Sequence, residues 1–391
     1  MMNSQINSNS DDNNEKDENI IGSEHNTENN NTEGIGKYDG YVFAKPTKKH
    51  KYKKRMSKGK KAVLIALISV LSVVVLVAST VITLNIVGRN ALLQNTDTQI
   101  KAPEISEVEV EKNSRTVTYK GVKYTPNDNI TTILAMGIDK QNLDESVSGT
   151  GGQADMILAI AHDTQTGKTT AINIPRDTIA EIDLYDTSGN FAGTDKTQLC
   201  LAYAYGDGRE KSCENVKKSV SNLLFGTQIN SYFALDLAAV PVLNDAVDGI
   251  QLTCLETVGP FTEGENLWLW GDDATTYVKT RNMNIVNANL LRNNRQKQYL
   301  EAFVKKVVER TKEDISTPLN MFNLMSDYMV TDFDAGKITF LATNALTNGF
   351  SNIEFVNVPG EMKRAGQYAE YHHNEEELFQ IFLDIYFNTD P

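Results

Sequence analysis

The chain has 391 residues and a formal net charge of −13. That length suits one large domain, or two ordinary ones, with tails. Its three cysteines, Cys200, Cys213 and Cys254, show no close Cys-x-x-Cys or Cys/His spacing, which argues against a zinc site.

The net charge conceals segments of opposite character. Residues 1–44 hold nine acidic and two basic side chains among Asn and Ser, with almost no large apolar residue. Such a composition cannot bury enough surface to offset its ordering entropy, so residues 1–61 read as a disordered tail ending in a polybasic block. That block, residues 45–61, holds ten Lys and Arg and no acid. Then comes "AVLIALISVLSVVVLVASTVITLNIV" (62–87), 26 residues without a charge. As a helix it runs about 39 Å, enough to cross a bilayer with some tilt. It is too long, and begins too far into the chain, for a signal peptide. The basic block before it, against a lone Arg89 just after, sets the N-terminus in the cytoplasm and residues 88–391 outside. Beside a membrane span, the basic block reads as a contact for anionic lipid headgroups. Residues 88–391 carry −16, so direct nucleic-acid binding is disfavoured.

Residues 88–127 read as a stalk containing a small hairpin, "TVTYKGVKYT" (116–125), turned at Gly121. From residue 128 to 391 the pattern is α/β. Strands are expected at 130–139, 154–163 and 169–175, the last two as a hairpin. Helices are expected at 196–208 and 212–226, a strand at 231–237, a helix at 237–249 closed by Gly249, and a strand at 250–257. A long helix follows at 290–312, with Leu300, Phe303, Val304, Val307 and Val308 on one face. Further helix and strand are expected at 337–346, 353–359 and 375–387. The expected fold is a single exported α/β domain with a central mixed β-sheet flanked by helices, preceded by one transmembrane helix.

Two signals carry chemistry. The first is a set of polar residues at strand ends. The strand "AINI" stops at Pro175 and presents Arg176 and Asp177 side by side, either a surface turn with a local ion pair or a grip for an anion. Asp139 closes one strand and Asp155 opens the next. Such residues are commonly turn or cap residues, but two strand-end carboxylates also suit a hard cation such as Mg²⁺. The glycine-rich "SGTGGQAD" (148–155) lacks the GK[ST] of a phosphate loop and leads into a strand, so it reads as a flexible loop. The second signal is cationic. Between Ala274 and Leu300 there is no acid, but there are Lys279, Arg281, Arg292, Arg295 and Lys297. A solvated basic face is the ordinary reading. Arginines at a helix start also make sense with an anion between them and the helix end. Arg292 and Gln296 share a helix face.

Together these segments resemble the LytR-CpsA-Psr family of membrane-anchored cell-wall proteins, over residues 130–310. "MGID", "QADMI", "IPRDT", "KTQLCLAYAYGDG", "ATTYVKTRN" and "LLRNNRQ" follow the family's motifs in order. The resemblance implies a phosphotransferase, which moves a glycopolymer such as teichoic acid or capsule from a polyprenyl-diphosphate carrier to peptidoglycan. A muramic-acid hydroxyl would attack the phosphate attached to the sugar. It implies Arg176, Arg281 and Arg292 as catalytic residues. Lys279, Gln296, Arg295, Gln153 and Asp177 would bind substrate, and Asp139 and Asp155 would hold Mg²⁺. The implied partners are the lipid-linked glycan, peptidoglycan and the cytoplasmic membrane, with no nucleic acid.

This chain departs from the family pattern. Gln153 replaces an arginine, Lys279 keeps a charge but not a fork, and Asn287 or Asn289 stands where an acid is usual. Gln141 lies near the place of a missing arginine. A non-catalytic envelope binding or transcriptional-attenuator role, or hydrolysis of a polyprenyl pyrophosphate, are the competing readings. His162 reads as structural, and His372 and His373 have no spaced metal-binding partners. "NLWLW" (266–270) reads either as pocket lining for sugar or lipid or as aromatic packing. Cys200 and Cys213 could pair as a disulfide, or all three cysteines could be thiols.

Overall fold

A computed structural model describes residues 57–93, 100–111, 115–139, 152–281, 288–349, 353–365 and 368–389. The chain divides into two compact units, Met1–Ala66 and Leu67–Pro391. In the first, the described residues open helix α1 (Lys58–Leu93), which runs on into the second. There follow β1 (Val108–Val110), β2 (Val117–Tyr119), β3 (Val122–Pro126), β4 (Ile130–Ile138), β5 (Ala154–Asp163), β6 (Thr169–Asn173), β7 (Ile179–Tyr185) and β8 (Phe191–Gln198). Next are α2 (Leu201–Ala204), α3 (Glu210–Leu223), β9 (Ser231–Asp236), α4 (Ala239–Ala246), β10 (Ile250–Thr253), β11 (Asn266–Leu269), α5 (Asp272–Lys279) and α6 (Ala288–Glu313). The chain closes with α7 (Thr317–Met325), β12 (Met329–Thr331), α8 (Ala335–Thr347), β13 (Ile353–Asn357), β14 (Gly360–Ala365), β15 (Tyr368–His373), α9 (Glu375–Tyr386) and β16 (Phe387–Thr389).

Helix α1 has 36 residues and is long and apolar enough to cross a membrane. Its side chains from Val63 to Val77 are exposed on all sides, so this stretch has no apolar stripe turned to a protein core. The hydroxyls of Ser72, Ser79, Thr80 and Thr83 each donate back to a carbonyl three or four residues earlier, so none needs water. The helix extends beyond the uncharged run at both ends. Its last turns dock on α8. Leu84, Gly88 and Leu92 share one face, and a Cβ at Gly88 would collide with the carbonyl of Gly336. Beside that contact, Lys337 is buried and donates to Ser231 Oγ (3.2 Å) and to Asp332 Oδ2 (3.2 Å).

The central sheet has six strands in the order β12-β9-β4-β5-β6-β13 and is mixed, as expected. β4 runs antiparallel to β5 and parallel to β9, and β6 runs antiparallel to β5 and parallel to β13. β4 is buried along most of its length, which is why its sequence is a near-continuous apolar run. Helix α3 contributes Cys213, Val216, Val220 and Leu223 to the main core, and α9 contributes Leu378, Phe379, Phe382, Leu383 and Tyr386. Both sets recur at helical spacing and pack with Leu134, Met136, Ile157 and Ile172 of the sheet. Asn374 caps α9 by accepting from Glu377 N (3.2 Å).

Three expectations need correction, and the state of the cysteines, left open by the sequence, is fixed. Residues 196–208 are not one helix: Lys196–Gln198 belong to β8, which pairs with β7 (Glu181↔Lys196), and only Leu201–Ala204 is helical. The strand from Ile250 ends at Thr253, because Cys254 turns to exchange backbone bonds with Gly264 and Glu265. The hairpin β2–β3 is not part of a stalk. It pairs with β16 and buries Val117, Tyr119 and Tyr124 in the main core. Cys200, Cys213 and Cys254 are all buried free thiols, so no Cys200–Cys213 disulfide forms. His162 is structural, as read: its ring nitrogens meet Thr169 Oγ1 (2.8 Å) and Asn344 Oδ1 (2.9 Å), and burial lowers its proton affinity. His372 does have a carboxylate neighbour, Glu370, at 3.0 Å.

Candidate active site

The strand directions bring the end of β4, the start of β5 and the end of β6 to one edge of the sheet, the edge where ligands settle in open α/β sheets. At that edge Asp139 N donates to Gln153 O (3.1 Å), so the residues flanking Asp155 and Asp139 are paired across the two strands. A register shift between Gly137 and Ile138 re-aims the end of β4 there. After β6, Ile174 still bonds to Ile157 O, and then the chain turns. Pro175 O accepts from Thr178 N (3.0 Å) and from Thr178 Oγ1 (2.6 Å). Arg176 and Asp177 are therefore the two central residues of a β-turn. The turn is pinned from both sides. Cys200 N donates to Arg176 O (3.0 Å), and Tyr371 N donates to Asp177 O (2.8 Å).

The guanidinium of Arg176 donates to Asp155 Oδ1 and to Gln153 Oε1, and its Nε lies 3.7 Å from Asp177 Oδ1. Asp177 also accepts from Gln198 Nε2 (3.0 Å). Asp155 is the electrostatic centre. Burial pushes its acid up, Arg176 pulls it down, Asp139 pushes it up again, and Arg292 and Arg281 pull it down. One carboxylate thus feels charges from the ends of β4 and β6, from beyond α5, and from the first turns of α6. Arg292 feels the reverse. Burial lowers its proton affinity, and Arg281, Arg295 and Arg176 add to that, against Asp155. Among the described residues its Nε, which is buried, finds no hydrogen-bond partner. A buried donor left so costs about 1–3 kcal/mol. That donor points to an acceptor supplied from outside the cluster, as an anion would supply it.

Arg295 is different. It is 1% exposed, its Nε donates to Glu256 Oε1 (2.7 Å), and its other nitrogens donate to the carbonyls of Tyr277 and Thr280. The expectation that it binds substrate is corrected: its fork is spent on the C-terminal end of α5. Gln296 helps, donating to Val278 O (3.1 Å). These bonds fix the end of α5, from which Lys279 and Arg281 project as exposed cations. Glu256 and Gln198 were not legible as site residues, because nothing near them in sequence marks their partners. Nothing in the sequence marks Cys200 as a neighbour of the site. Its thiol lies 3.9 Å from Gln153 Oε1, and burial pushes it up to about 11 although Arg176 pulls it down.

Among the described residues no group of three or more His, Cys, Asp and Glu converges. Asp177 at this edge is engaged by Gln198 and Arg176, and Asp139 and Asp155 make a donor set that leaves most positions of a hard cation to water or phosphate oxygens. Gln141, residues 148–151 and Asn287 lie outside the described residues, as does the side chain of Asn289.

Comparison with known proteins agrees with this architecture. TagU of Oceanobacillus iheyensis, a polyisoprenyl-teichoic acid–peptidoglycan teichoic acid transferase, is 22% identical over 262 residues, 65% of this chain and 74% of that protein. The crystal structure of protein gbs0355 from Streptococcus agalactiae superposes with a TM-score of 0.54 at 19% identity, covering 66% of this chain and 90% of that one. TagV of B. subtilis superposes with a TM-score of 0.52 at 21% identity, covering 66% and 96%. These likenesses are in the fold. The LytR_cpsA_psr family model matches residues 90–384, the whole of the sheet and its site edge, and the chain belongs to that family.

Proposed function

We propose that this chain is a transferase that moves a glycopolymer of the teichoic acid or capsule class from a polyprenyl-diphosphate carrier to peptidoglycan. The observation that carries this reading is the arginine set. Arg176, Arg281 and Arg292, from three distant segments, act on one carboxylate, and Arg292 keeps a buried N–H without an acceptor among the described residues. A diphosphate offers the acceptor that is missing, and guanidiniums bind it as forks. Phosphoryl transfer asks a protein mainly for positioning and charge stabilisation. The acceptor hydroxyl oxygen forms the new bond to the phosphorus on the sugar side, the bond to the carrier phosphate breaks, and polyprenyl phosphate leaves, taking up the hydroxyl's proton. Lys279, exposed at the end of α5, adds charge for the same ligand, and Asp177 holds Arg176 in line. Asp139 and Asp155 fit Mg²⁺ as two hard oxygen ligands. Bound there, the ion would neutralise charge developing on the phosphate oxygens. The basic residues 45–61 before α1 support a cytoplasmic N-terminus and an exported domain.

The test is incubation of the full chain with a labelled polyprenyl-diphosphate glycan, Mg²⁺ and peptidoglycan oligomers. Sugar phosphate should appear on the oligomer and fail to appear with Arg176→Ala. Release of free sugar phosphate would instead identify a hydrolase. Binding without turnover, unchanged in Arg176→Ala, would remove the reading.

A further inference from the structure

The ribbon β10–β11 has two faces. Leu269 and Ile250 point into the protein. The outer face carries Gln251 and Thr253 on one strand and Asn266 and Trp268 on the other, with Trp270 just beyond. Trp268 is 57% and Trp270 42% exposed, and their rings lie 5.7 Å apart. Trp268 is anchored by a hydrogen bond, and Trp270 packs against it. Trp268 Nε1 donates to Asp248 O (3.1 Å). Gly249, at φ +74°, provides the space: a Cβ there would stand 2.8 Å from Trp268 Nε1 and 2.9 Å from Trp270 Cε2. Two water-exposed aromatic faces flanked by amides and a hydroxyl form a built surface, beyond the scattered apolar exposure of any protein.

The charge around it selects the occupant. From Ser219 to Val278 the chain has no Lys, Arg or His, and Asp245, Asp248, Glu263, Glu265, Asp272 and Asp273 lie in and beside the ribbon. In space Arg310 of α6 reaches Asp248 Oδ2 (3.1 Å) and Glu313 Oε2 (3.2 Å), so its charge is already matched; an anionic polymer or an anionic bilayer would need further basic residues there. An uncharged polysaccharide needs what is present: the C–H faces of its sugar rings lie on the negative faces of indoles, and its hydroxyls donate to carboxylates and exchange bonds with amides. We propose that the outer face of β10–β11 binds an uncharged stretch of glycan strand, the acceptor chain. Helix α5 joins Trp270 to Lys279, about 12 Å away along its axis. That is the length of a few sugar units from the platform to the arginine set. Naming the bound glycan as the acceptor rests on the transferase reading; the binding itself does not.

The chain contains two tryptophans, Trp268 and Trp270, so tryptophan emission reports on this ribbon alone. The full chain, in a zwitterionic nanodisc, is titrated with a soluble β-1,4-linked N-acetylglucosamine hexamer and, separately, with phosphatidylglycerol vesicles. Saturable change with the hexamer is expected. Trp268→Ala, read through Trp270, and Gln251→Ala should each weaken it, the first about tenfold. No response to the hexamer overturns the proposal, and a response to the vesicles alone replaces it with a membrane seat. Arg176→Ala should bind the hexamer like the parent while losing transfer. If the parent transfers glycan but ignores the hexamer, this proposal fails and the transferase reading stands. If it binds the hexamer but never transfers, only the transferase reading fails.

Discussion

Arg176 reaches back from the turn after β6 to the carboxylate of Asp155 at the start of β5, joining two strand ends into one charged edge. Asp155 in turn answers to Arg292 and Arg281, so the pair couples the sheet to the far helix. Arg176→Ala should lower transfer by about 10²–10³ in kcat, the scale for loss of one stabilising donor. Arg176→Lys keeps the charge without the fork and should fall between. Single-turnover rates with labelled carrier measure both.

Asp155 also sets a pH dependence. Burial, with Asp139 adding to it, holds its acid above the ordinary 3.8, against Arg176, Arg292 and Arg281. The folded state therefore holds that proton more tightly than the unfolded chain. Stability from this group is complete below 3.8 and is lost as pH rises through the raised folded value. Asp155→Asn removes the loss and should unfold at higher urea than the parent at neutral pH, with the difference closing in acid. Activity should vanish in the same variant. Urea midpoints across pH check the sign.

Mg²⁺ should stabilise the folded chain if Asp139 and Asp155 hold it. At a hundredfold excess over the dissociation constant the gain is about 2.7 kcal/mol. Thermal melts should shift upward with Mg²⁺ in the parent and scarcely at all in Asp139→Asn, whatever either does as a catalyst.

Arg295→Met should destabilise the domain by up to about 3 kcal/mol, because the partly buried Glu256 and the carbonyls of Tyr277 and Thr280 then lose their donor. Glu256→Gln together with Arg295→Met should recover part of that. A urea series on both variants separates this positioning role from substrate contact, since Arg295 reaches no opening.

The three cysteines should be silent toward a thiol reagent in the native state and react fully on unfolding. Burial keeps all three from the reagent, and it pushes Cys200 up to about 11, so little thiolate exists at neutral pH. Reductant should not change the melting temperature.

The sheet was legible because β4, β5 and β6 are long apolar runs broken by turn residues, and the turn at Pro175 announced Arg176 directly. The β7–β8 ribbon was not. The sequence of β8, "FAGTDKTQ", is polar and exposed, and only pairing with β7 makes it a strand. Arg292 and Arg295 are three residues apart and look alike on paper. What separates them is Glu256, 39 positions away, and two carbonyls at the end of α5, none of which a local pattern contains.

The close approach of Gly88 to Gly336 bears on where the work is done. Helix α8 begins beside Ser231, the first residue of β9, whereas Asp139 follows the last residue of β4. Ser231 pairs with Ile133 and Asp236 with Ile138, so these points stand at opposite ends of the shared strands, about 17 Å apart. Because the last turns of α1 are seated without room for a side chain, the arginine edge has a standing height above that seat. Its reach is set by the length of a β-strand.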